Sequence, residues 1–266
     1  MRAATGGLRD ARGASARGPW QHFWAERQSS PHDIYPNSPR IPALLATGEG
    51  HDPVLEVGCG SARDSVALAG TGRKVVVLDA APSALSLALA FARESGVRLR
   101  AVRGDARYLP FREASFGTVF HQGVLEHFLE PGAVLRENHR VLQENGTLLV
   151  DVPQTFHPWT LLKRILIPLG LWFGGWETQY TPKGIAREVS RPGFTVLKVY
   201  GEWMHPSLAY RLLRELGRRT KLFHLPLFPP DIGMIRLARW ADRTLTHGAI
   251  ELWTGYVVGV LAAKRP

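Results

Sequence analysis

From residue 52 onward, short apolar runs alternate with segments of helical character, and this alternation limits the fold more than any other feature. Five successive strands are predicted at PVLEVGCG (53–60), KVVVLDA (74–80), VRLRAVRGDA (97–106), FGTVFHQG (116–123) and GTLLVDVP (146–153). Three consecutive valines in the second run suit a strand that is buried on both faces. The pattern predicts an α/β fold with a Rossmann-like, doubly wound and mostly parallel sheet between helices.

The helices between these strands have recognisable ends. Pro82 opens one predicted helix and Gly96 follows its last turn, while Pro131 opens another that Gly146 closes. Two further strands, FTVLKVYGEW (194–203) and GYVVGVLAAKR (255–265), close the sheet, one of them antiparallel. We expect a disordered basic tail over 1–18, a helical cap segment over 19–50, and a Rossmann-like domain over 51–266 with helical and aromatic lid insertions at about 155–180 and 205–247.

Composition excludes several classes of protein. The single cysteine, Cys59, allows neither an internal disulfide nor a zinc site built on thiolates, so no metal is predicted. The net charge of +10 suits nucleic acid or an anionic membrane, but an ordinary basic surface is the preferred interpretation, which disfavours nucleic acid as a partner. The longest uncharged apolar stretch, 165–176, has 12 residues, against about 20 in a membrane span. We therefore expect a cytoplasmic protein, leave peripheral membrane contact open, and predict no oligomeric state.

A glycine turn follows the first predicted strand. Gly58 and Gly60 would let backbone amides approach a ligand without interference from a Cβ atom. Arg63 stands where the dinucleotide-binding pattern G-x-G-x-x-G needs its third glycine, so that pattern is absent. Glu56, two residues before Gly58, would repel a pyrophosphate and complement a cationic group.

Acidic residues also end the next two strands. Asp79 comes 21 residues after Gly58, where a carboxylate can bind both hydroxyls of a ribose, and Asp105 ends the third strand. Any one of these acids is more often a helix cap or a surface group. Three acids at successive strand ends share the edge where open α/β sheets bind ligands, so together they predict a ligand site.

The segments VLEVGCGSARDSVALA, VVVLDAAPSAL, GDARYLPF, FGTVFHQGVLEHF and ENHRVLQENGTLLVDVP follow one another in this order. They resemble the successive motifs of class I S-adenosylmethionine-dependent methyltransferases, particularly the small-molecule group with an LEH signature (methyltransferase type 11-like). The resemblance covers roughly residues 50–155 well and the closing strands more loosely. One departure is Gly117, where the family commonly has an acid.

The resemblance implies S-adenosyl-L-methionine as the cofactor. The implied cofactor-binding positions are Glu56, Gly58, Gly60, Asp79, Ala80, Asp105, Ala106 and Gln122. The first three would surround the methionyl part, the acid that ends the second strand would hold the ribose hydroxyls, and the acid that ends the third would meet the adenine. The glutamine after the fourth strand would lie beside the transfer centre.

Methyl transfer from a sulfonium depends on positioning and on exclusion of water, with a general base where the nucleophile carries a proton. His121 is the candidate catalytic residue, as a group that tunes or contacts the substrate. His127, in the LEH motif, is a candidate substrate contact, although packing explains it more readily. The other candidate substrate contacts are Phe23, Trp24, Tyr35, Trp159, Trp176 and Tyr180. These aromatic residues fit a small satellite core between lid and domain equally well; as ligand contacts they predict a small, hydrophobic or aromatic acceptor.

Two other functions share parts of this pattern. An NAD(P)-dependent oxidoreductase also has a strand, a glycine loop, a helix and a second strand that ends in an acid, but Glu56, Arg63 and Asp105 count against it. A non-catalytic subunit of the same fold that binds a partner protein is disfavoured by the intact acidic set. A nucleic-acid methyltransferase is disfavoured because HQGV (121–124) replaces a DPPY-type or NPPY-type tetrapeptide.

Overall fold

A computed structural model of the chain describes residues 17–27, 41, 43, 45, 51–172, 174–204, 206–227, 236–237, 240–241, 244 and 248–265. Most of the predicted basic tail, and the candidate substrate contact Tyr35, lie outside the described residues.

Seven strands form one sheet in the order β3-β2-β1-β4-β5-β7-β6. Neighbouring strands from β3 to β5 pair in parallel, whereas β7 runs antiparallel to both β5 and β6. The strands are β1 Val54–Val57, β2 Val75–Asp79, β3 Arg100–Arg103, β4 Phe116–Gln122, β5 Leu142–Pro153, β6 Phe194–Glu202 and β7 Val257–Lys264. This arrangement confirms the predicted doubly wound, mostly parallel sheet with an antiparallel closing strand.

Helices cover both faces of the sheet. They are α1 Arg17–Arg27, α2 Arg63–Gly70, α3 Pro82–Glu94, α4 Pro131–Val141, α5 Pro158–Leu166, α6 Pro182–Ser190, α7 Leu208–Thr220 and α8 Ala249–Thr254, with a 3-10 turn at Leu125–His127. Of the helices in the described part of the chain, none is both long enough and apolar enough to cross a membrane.

Side chains that alternate along the central strands build two apolar cores. On one face, Leu55 and Val57 pack in a core with Val134 of α4 and Ile185 of α6. On the other face, Val54 and Phe120 pack in a core with residues of α2 and α3, among them Leu68 and Ala88. Successive residues of a strand point to opposite faces, so continuous apolar runs are what a sheet buried on both sides requires.

The boundary between α4 and β5 differs from the prediction. The helix ends at Val141, and the strand begins at Leu142, which pairs with Phe116 at the start of β4. Gly146 therefore lies inside β5 and does not end a helix, and the left-handed backbone falls on Asn145 with φ 61°. The third strand is also shorter than predicted, because only Arg100–Arg103 pair with β2.

Gly117, the position at which the sequence departs from the motifs it resembles, lies against the backbone before β1. A Cβ atom added there would lie 2.3 Å from the carbonyl oxygen of His51, which is too close for any real contact. The amide of Gly117 donates to the carbonyl of Pro53, and Thr118 donates through its hydroxyl to the carbonyl of His51. Glycine at this position thus allows the segment that enters β1 to pack on β4.

We expect Gly117→Ala to lower the free energy of unfolding by about 1–3 kcal/mol, because backbone cannot rotate away as a side chain can. Urea unfolding followed by circular dichroism measures the change. Gly70→Ala is the matched control, since a Cβ there meets nothing within 4 Å and alanine is the better helix former by roughly 1 kcal/mol. Equal stability of Gly117→Ala and wild type would contradict the close contact.

Candidate functional site

A cavity of about 450 Å³ opens at the carboxyl ends of the central parallel strands. Its lining residues are Trp20, Phe23, Trp24, Gly58, Leu78, Asp79, Ala80, Ala81, Gly104, Asp105, Ala106, Arg107, Gln122, Gly123, Val124, Glu126, His127, Phe128, Pro153, Lys163, Trp172, Glu177 and Tyr256. The inner half contains the ends of β1 to β4. The outer half contains α1, the 3-10 turn and the segment from α5 to Glu177.

The glycine loop after β1 lies at the bottom of the cavity. Gly58 has φ 66° and Gly60 has φ 51°, both in the left-handed region that favours glycine. A Cβ atom on Gly58 would lie 2.4 Å from a methyl group of Val124, and one on Gly60 would lie 2.4 Å from the ring of Trp24. The loop is therefore packed on both sides, and Trp24 covers Gly60, which does not itself line the cavity.

Asp79 ends β2 and connects that strand to the glycine loop. Its Oδ2 accepts a hydrogen bond from the amide of Gly60 at 3.0 Å, and its Oδ1 accepts one from the amide of Ala81 at 2.8 Å. Burial raises the pKa of the carboxyl, while the backbone amides act in the opposite direction and favour the charged form. The carboxylate is thus held in a fixed position at the cavity wall.

Glu56 lies behind the loop and not in the cavity wall. It is buried, and its Oε2 accepts a hydrogen bond from the hydroxyl of Ser65 at 2.5 Å. Burial raises the pKa of Glu56 well above its ordinary value, and the negative charges of Asp64 and Asp79 raise it further. Gln122 donates to Asp64 through Nε2 at 3.1 Å. An inner half with this acidic character suits a ligand that carries positive charge and would repel a pyrophosphate.

Asp105 holds an arginine at the cavity wall. The guanidinium of Arg107 donates through Nε to Oδ1 at 3.0 Å and through Nη2 to Oδ2 at 2.8 Å. The same guanidinium lies 5.4 Å from the ring centre of Phe128. The two-point pairing fixes the orientation of both side chains, and all three residues line the cavity.

Aromatic side chains from α1 cover the outer half of the cavity. Trp20 and Phe23 pack edge to face at 5.6 Å, and Phe23 packs in the same manner on Trp24 at 4.9 Å. Trp20 also meets the ring of His127 at 5.0 Å. Burial lowers the pKa of His127 to about 4, so this ring is neutral at pH 7. The N-terminal helix therefore belongs to the wall of the site.

A buried ion pair forms another part of the wall of the outer half. The ammonium of Lys163 lies 2.5 Å from Oε2 of Glu177, and the indole of Trp172 donates to Oε1 of the same carboxylate at 2.6 Å. The ammonium also lies 4.8 Å from the centre of the Trp172 ring. Burial lowers the pKa of Lys163, but the charges of Tyr256 and Glu177 outweigh it and leave the pKa raised. Lys163 is thus a permanent cation.

Glu126 is the second acid of this wall. It is only 3% exposed, and its Oε2 has no hydrogen-bond partner among the described residues. Burial raises its pKa to about 8, and the negative charge of Glu177 contributes to the rise. The carboxyl of Glu126 is therefore poised to gain or lose a proton near neutral pH.

The cavity brings together most of the predicted cofactor contacts and some of the predicted substrate contacts. Of the former, Gly58, Asp79, Ala80, Asp105, Ala106 and Gln122 line it, whereas Glu56 and Gly60 lie behind it. Of the latter, Phe23, Trp24 and His127 line it, whereas Trp159, Trp176 and Tyr180 do not. Trp159 instead packs on the cavity-lining Trp172 at 5.9 Å, in a supporting position.

The prediction that His121 contacts the substrate does not agree with the structure. Gln122 faces the cavity, and its neighbour His121 points into the interior because successive side chains of a strand alternate. His121 is fully buried, and neither ring nitrogen has a hydrogen-bond partner in the described part of the chain. Burial lowers its pKa to about 4. The imidazole is a neutral core residue.

The sequence interpretation did not identify Glu126, Glu177 and Tyr256 as site residues. Glu126 stands within the LEH segment, next to the predicted His127, and both side chains line the cavity, so the motif marked the right place in the chain. Glu177 and Tyr256 are distant in sequence from every recognised motif. Only the fold brings them to the cavity.

Comparison with known proteins is consistent with this site. The family described as "Methyltransferase domain" matches residues 55–150. A ubiquinone biosynthesis O-methyltransferase of Azorhizobium caulinodans is 28% identical over 158 residues, which are 58% of this chain and 62% of that protein. An uncharacterized methyltransferase of Synechocystis is 32% identical over 155 residues, which are 54% of this chain and 68% of that protein.

A solved structure shows the same fold over most of the chain. A SAM-dependent methyltransferase of Thermotoga maritima superposes with a TM-score of 0.61 at 16% identity, over 94% of this chain and 100% of that one. The chain spans 62%, 40% and 68% of the lengths of the first three curated relatives it matches. The chain belongs to the S-adenosylmethionine-dependent methyltransferase family, whose cofactor is S-adenosyl-L-methionine. The acidic character of the inner cavity fits this cationic cofactor.

The raised pKa of Glu126 predicts a specific pH dependence of stability. The folded state keeps the proton up to about pH 8, whereas the unfolded chain loses it near pH 4.3. The stabilisation is therefore complete below the unfolded pKa and is lost as the pH rises through the folded one. Between pH 5 and pH 8, the unfolding free energy of wild type should fall relative to Glu126→Gln by up to about 1.4 kcal/mol per pH unit.

Urea unfolding of both proteins at half-unit pH steps tests this dependence. Glu113→Gln is the control, because this exposed carboxyl lies outside the cavity and its variant should follow wild type. The other buried groups, including His121, His127 and Glu56, are common to all three proteins and cancel in the difference. A difference curve that stays flat between pH 5 and pH 8 would show that Glu126 is ionised throughout.

Proposed function

We propose that the protein transfers a methyl group from S-adenosyl-L-methionine to a hydroxyl group of a small, hydrophobic or aromatic acceptor. The observation that carries the proposal is the continuity of the cavity, which runs from the glycine loop and Asp79 to an aromatic outer half where Oε2 of Glu126 has no hydrogen-bond partner among the described residues. The cofactor supplies an electrophilic methyl group when it is bound. Everything else in the reaction is positioning, exclusion of water and removal of a proton.

The inner half would bind the cofactor. Gly58, which lines the cavity, would present its backbone to the ligand, and Asp79 would offer a fixed carboxylate to ribose hydroxyls. Asp105, Ala106 and Arg107 would border the adenine, and Gln122, held on Asp64, would mark the passage to the outer half.

The outer half would bind the acceptor. Trp20, Phe23 and Trp24 from α1, together with Trp172, would exclude water from the transfer site, in the manner of a lid built from the N-terminal helix and the segment after β5. Trp159, Trp176 and Tyr180 would support this lid from behind. The name of the Azorhizobium relative, an O-methyltransferase, supports oxygen as the acceptor atom.

Glu126 would take the proton of the acceptor. Its Oε2 lacks a hydrogen-bond partner among the described residues, and its pKa of about 8 is close to the value that general-base catalysis near neutral pH requires. Lys163, anchored on Glu177, would place a positive charge near the oxygen as negative charge develops there.

Cofactor binding is tested by isothermal titration calorimetry with S-adenosylhomocysteine and with NADH. Wild type should bind the former and not the latter. Asp79→Asn should weaken binding at least tenfold, or about 1.4 kcal/mol, because a neutral amide replaces the carboxylate. Glu113→Gln again serves as control. Tighter binding of NADH than of S-adenosylhomocysteine would overturn the family assignment of the site in favour of an oxidoreductase.

Methyl transfer is tested with radiolabelled cofactor and a panel of phenols and catechols that carry alkyl chains of increasing length. We expect kcat/KM to rise about tenfold per pH unit up to about pH 8. Glu126→Gln should lower kcat by at least about 100-fold and remove that rise, with unchanged affinity for S-adenosylhomocysteine. Turnover that is insensitive to this substitution would remove Glu126 from the reaction, and turnover of amines alone would exclude oxygen as the acceptor atom.

A further inference from the structure

The short helix α5 buries a charged residue and exposes its apolar residues. In an ordinary surface helix, apolar residues face the protein and charged residues face water. In α5 the buried residues are Thr160 and Lys163, whereas Leu161, Leu162 and Ile165 are 43%, 41% and 61% exposed. The inward side of the helix faces the cavity, because Lys163 lines the cavity and pairs with Glu177.

The exposed apolar side chains continue beyond the helix. Leu169 and Leu171, in the turn that follows, are 64% and 68% exposed. The next residue, Trp172, returns to the cavity wall and binds Glu177. One short segment thus forms the wall of the site on its inner side and presents five large aliphatic side chains on its outer side.

The charge of this surface is one-sided. No acidic residue occurs between Phe156 and Trp176, and the basic Arg164 is exposed among the aliphatic residues. The helix α7 has the same character: it exposes Leu212, Leu213 and Leu216, and residues 206–227 contain five basic side chains against one acidic.

We propose that Leu161, Leu162, Ile165, Leu169 and Leu171, with Arg164, form a docking face for the surface of an anionic lipid bilayer. Exposed aliphatic side chains beside a basic one, with no acid between Phe156 and Trp176, suit the interface of an anionic bilayer. Protein interfaces favour aromatic residues at their centre, whereas the docking face consists of leucine and isoleucine. When the protein is bound in this way, the wall of the cavity would lie against the bilayer. If the acceptor is hydrophobic, as proposed above, it would reach the cavity from the lipid.

Vesicle flotation of the full chain tests the proposal. Vesicles of phosphatidylcholine with an equal amount of phosphatidylglycerol should carry wild type upward at low salt, and vesicles of phosphatidylcholine alone should carry at least tenfold less. Binding should weaken at high salt, because the attraction is partly electrostatic. The double variant Leu161→Asp with Ile165→Asp should lose at least tenfold in its partition coefficient.

Leu197→Asp is the matched control, because this leucine is 50% exposed on the edge strand β6 and lies outside the docking face. Both variants should keep the wild-type melting temperature and affinity for S-adenosylhomocysteine. Flotation requires no methyl transfer, so the proposed reaction and the proposed docking fail or succeed separately.

Three results would overturn the docking face. Wild type could fail to float with the anionic vesicles at low salt. The double variant could float as well as Leu197→Asp. Alternatively, wild type could be a dimer by light scattering that the double variant dissociates, with no flotation of either, in which case a second copy of the chain covers this surface.

Discussion

The carboxylate of Asp79 is the contact on which the site depends. It accepts the amide of Gly60 from the loop after β1 and the amide of Ala81 at the start of α3, so one side chain joins the ends of two central strands. These bonds fix a loop whose two glycines have left-handed backbone and which is packed between Val124 and Trp24. Because the loop cannot relax, the acids around it stay close together. Burial, with the negative charges of Asp64 and Asp79, raises the pKa of Glu56, and this acidic surrounding of the inner cavity suits a cation.

In the outer half of the cavity the charges are arranged differently. Two acids, Glu126 and Glu177, share one wall with a single lysine, and the lysine pairs closely with Glu177. Burial then makes the uncharged form of Glu126 the cheaper one, which is why its pKa rises to about 8. A neutral carboxylic acid and a paired cation leave this half of the cavity nearly uncharged, and the aromatic rings of α1 can pack over it. The same arrangement of charges leaves the outer half largely apolar and leaves Glu126 able to exchange a proton.

Most of the fold and about half of the site follow from local sequence. Apolar runs and glycine turns identify the strands, and acids at strand ends identify the sheet edge, because both signals are set by neighbouring residues. The end of α4 was placed wrongly since Asn145, and not Gly146, adopts the left-handed backbone, and pairing of Leu142 with Phe116 decides where the strand begins. His121 was misplaced by a single residue, and in a strand one residue separates the ligand side from the core. Lys163 and Glu177 are 14 positions apart, and they pair because the chain between them turns back on itself. The spacing of residues in the sequence does not reveal this contact.

The reversed polarity of α5 connects the site to the surface of the molecule. A helix that must offer a lysine to the interior cannot also bury its leucines there, since the two kinds of residue occupy opposite sides of so short an element. Exposed leucines are the consequence, unless another apolar phase covers them. The placement of Lys163 against Glu177 and Trp172 therefore fixes the outward orientation of Leu161 and Ile165. The buried ion pair in the outer half of the cavity and the apolar character of the outer surface therefore have one structural cause.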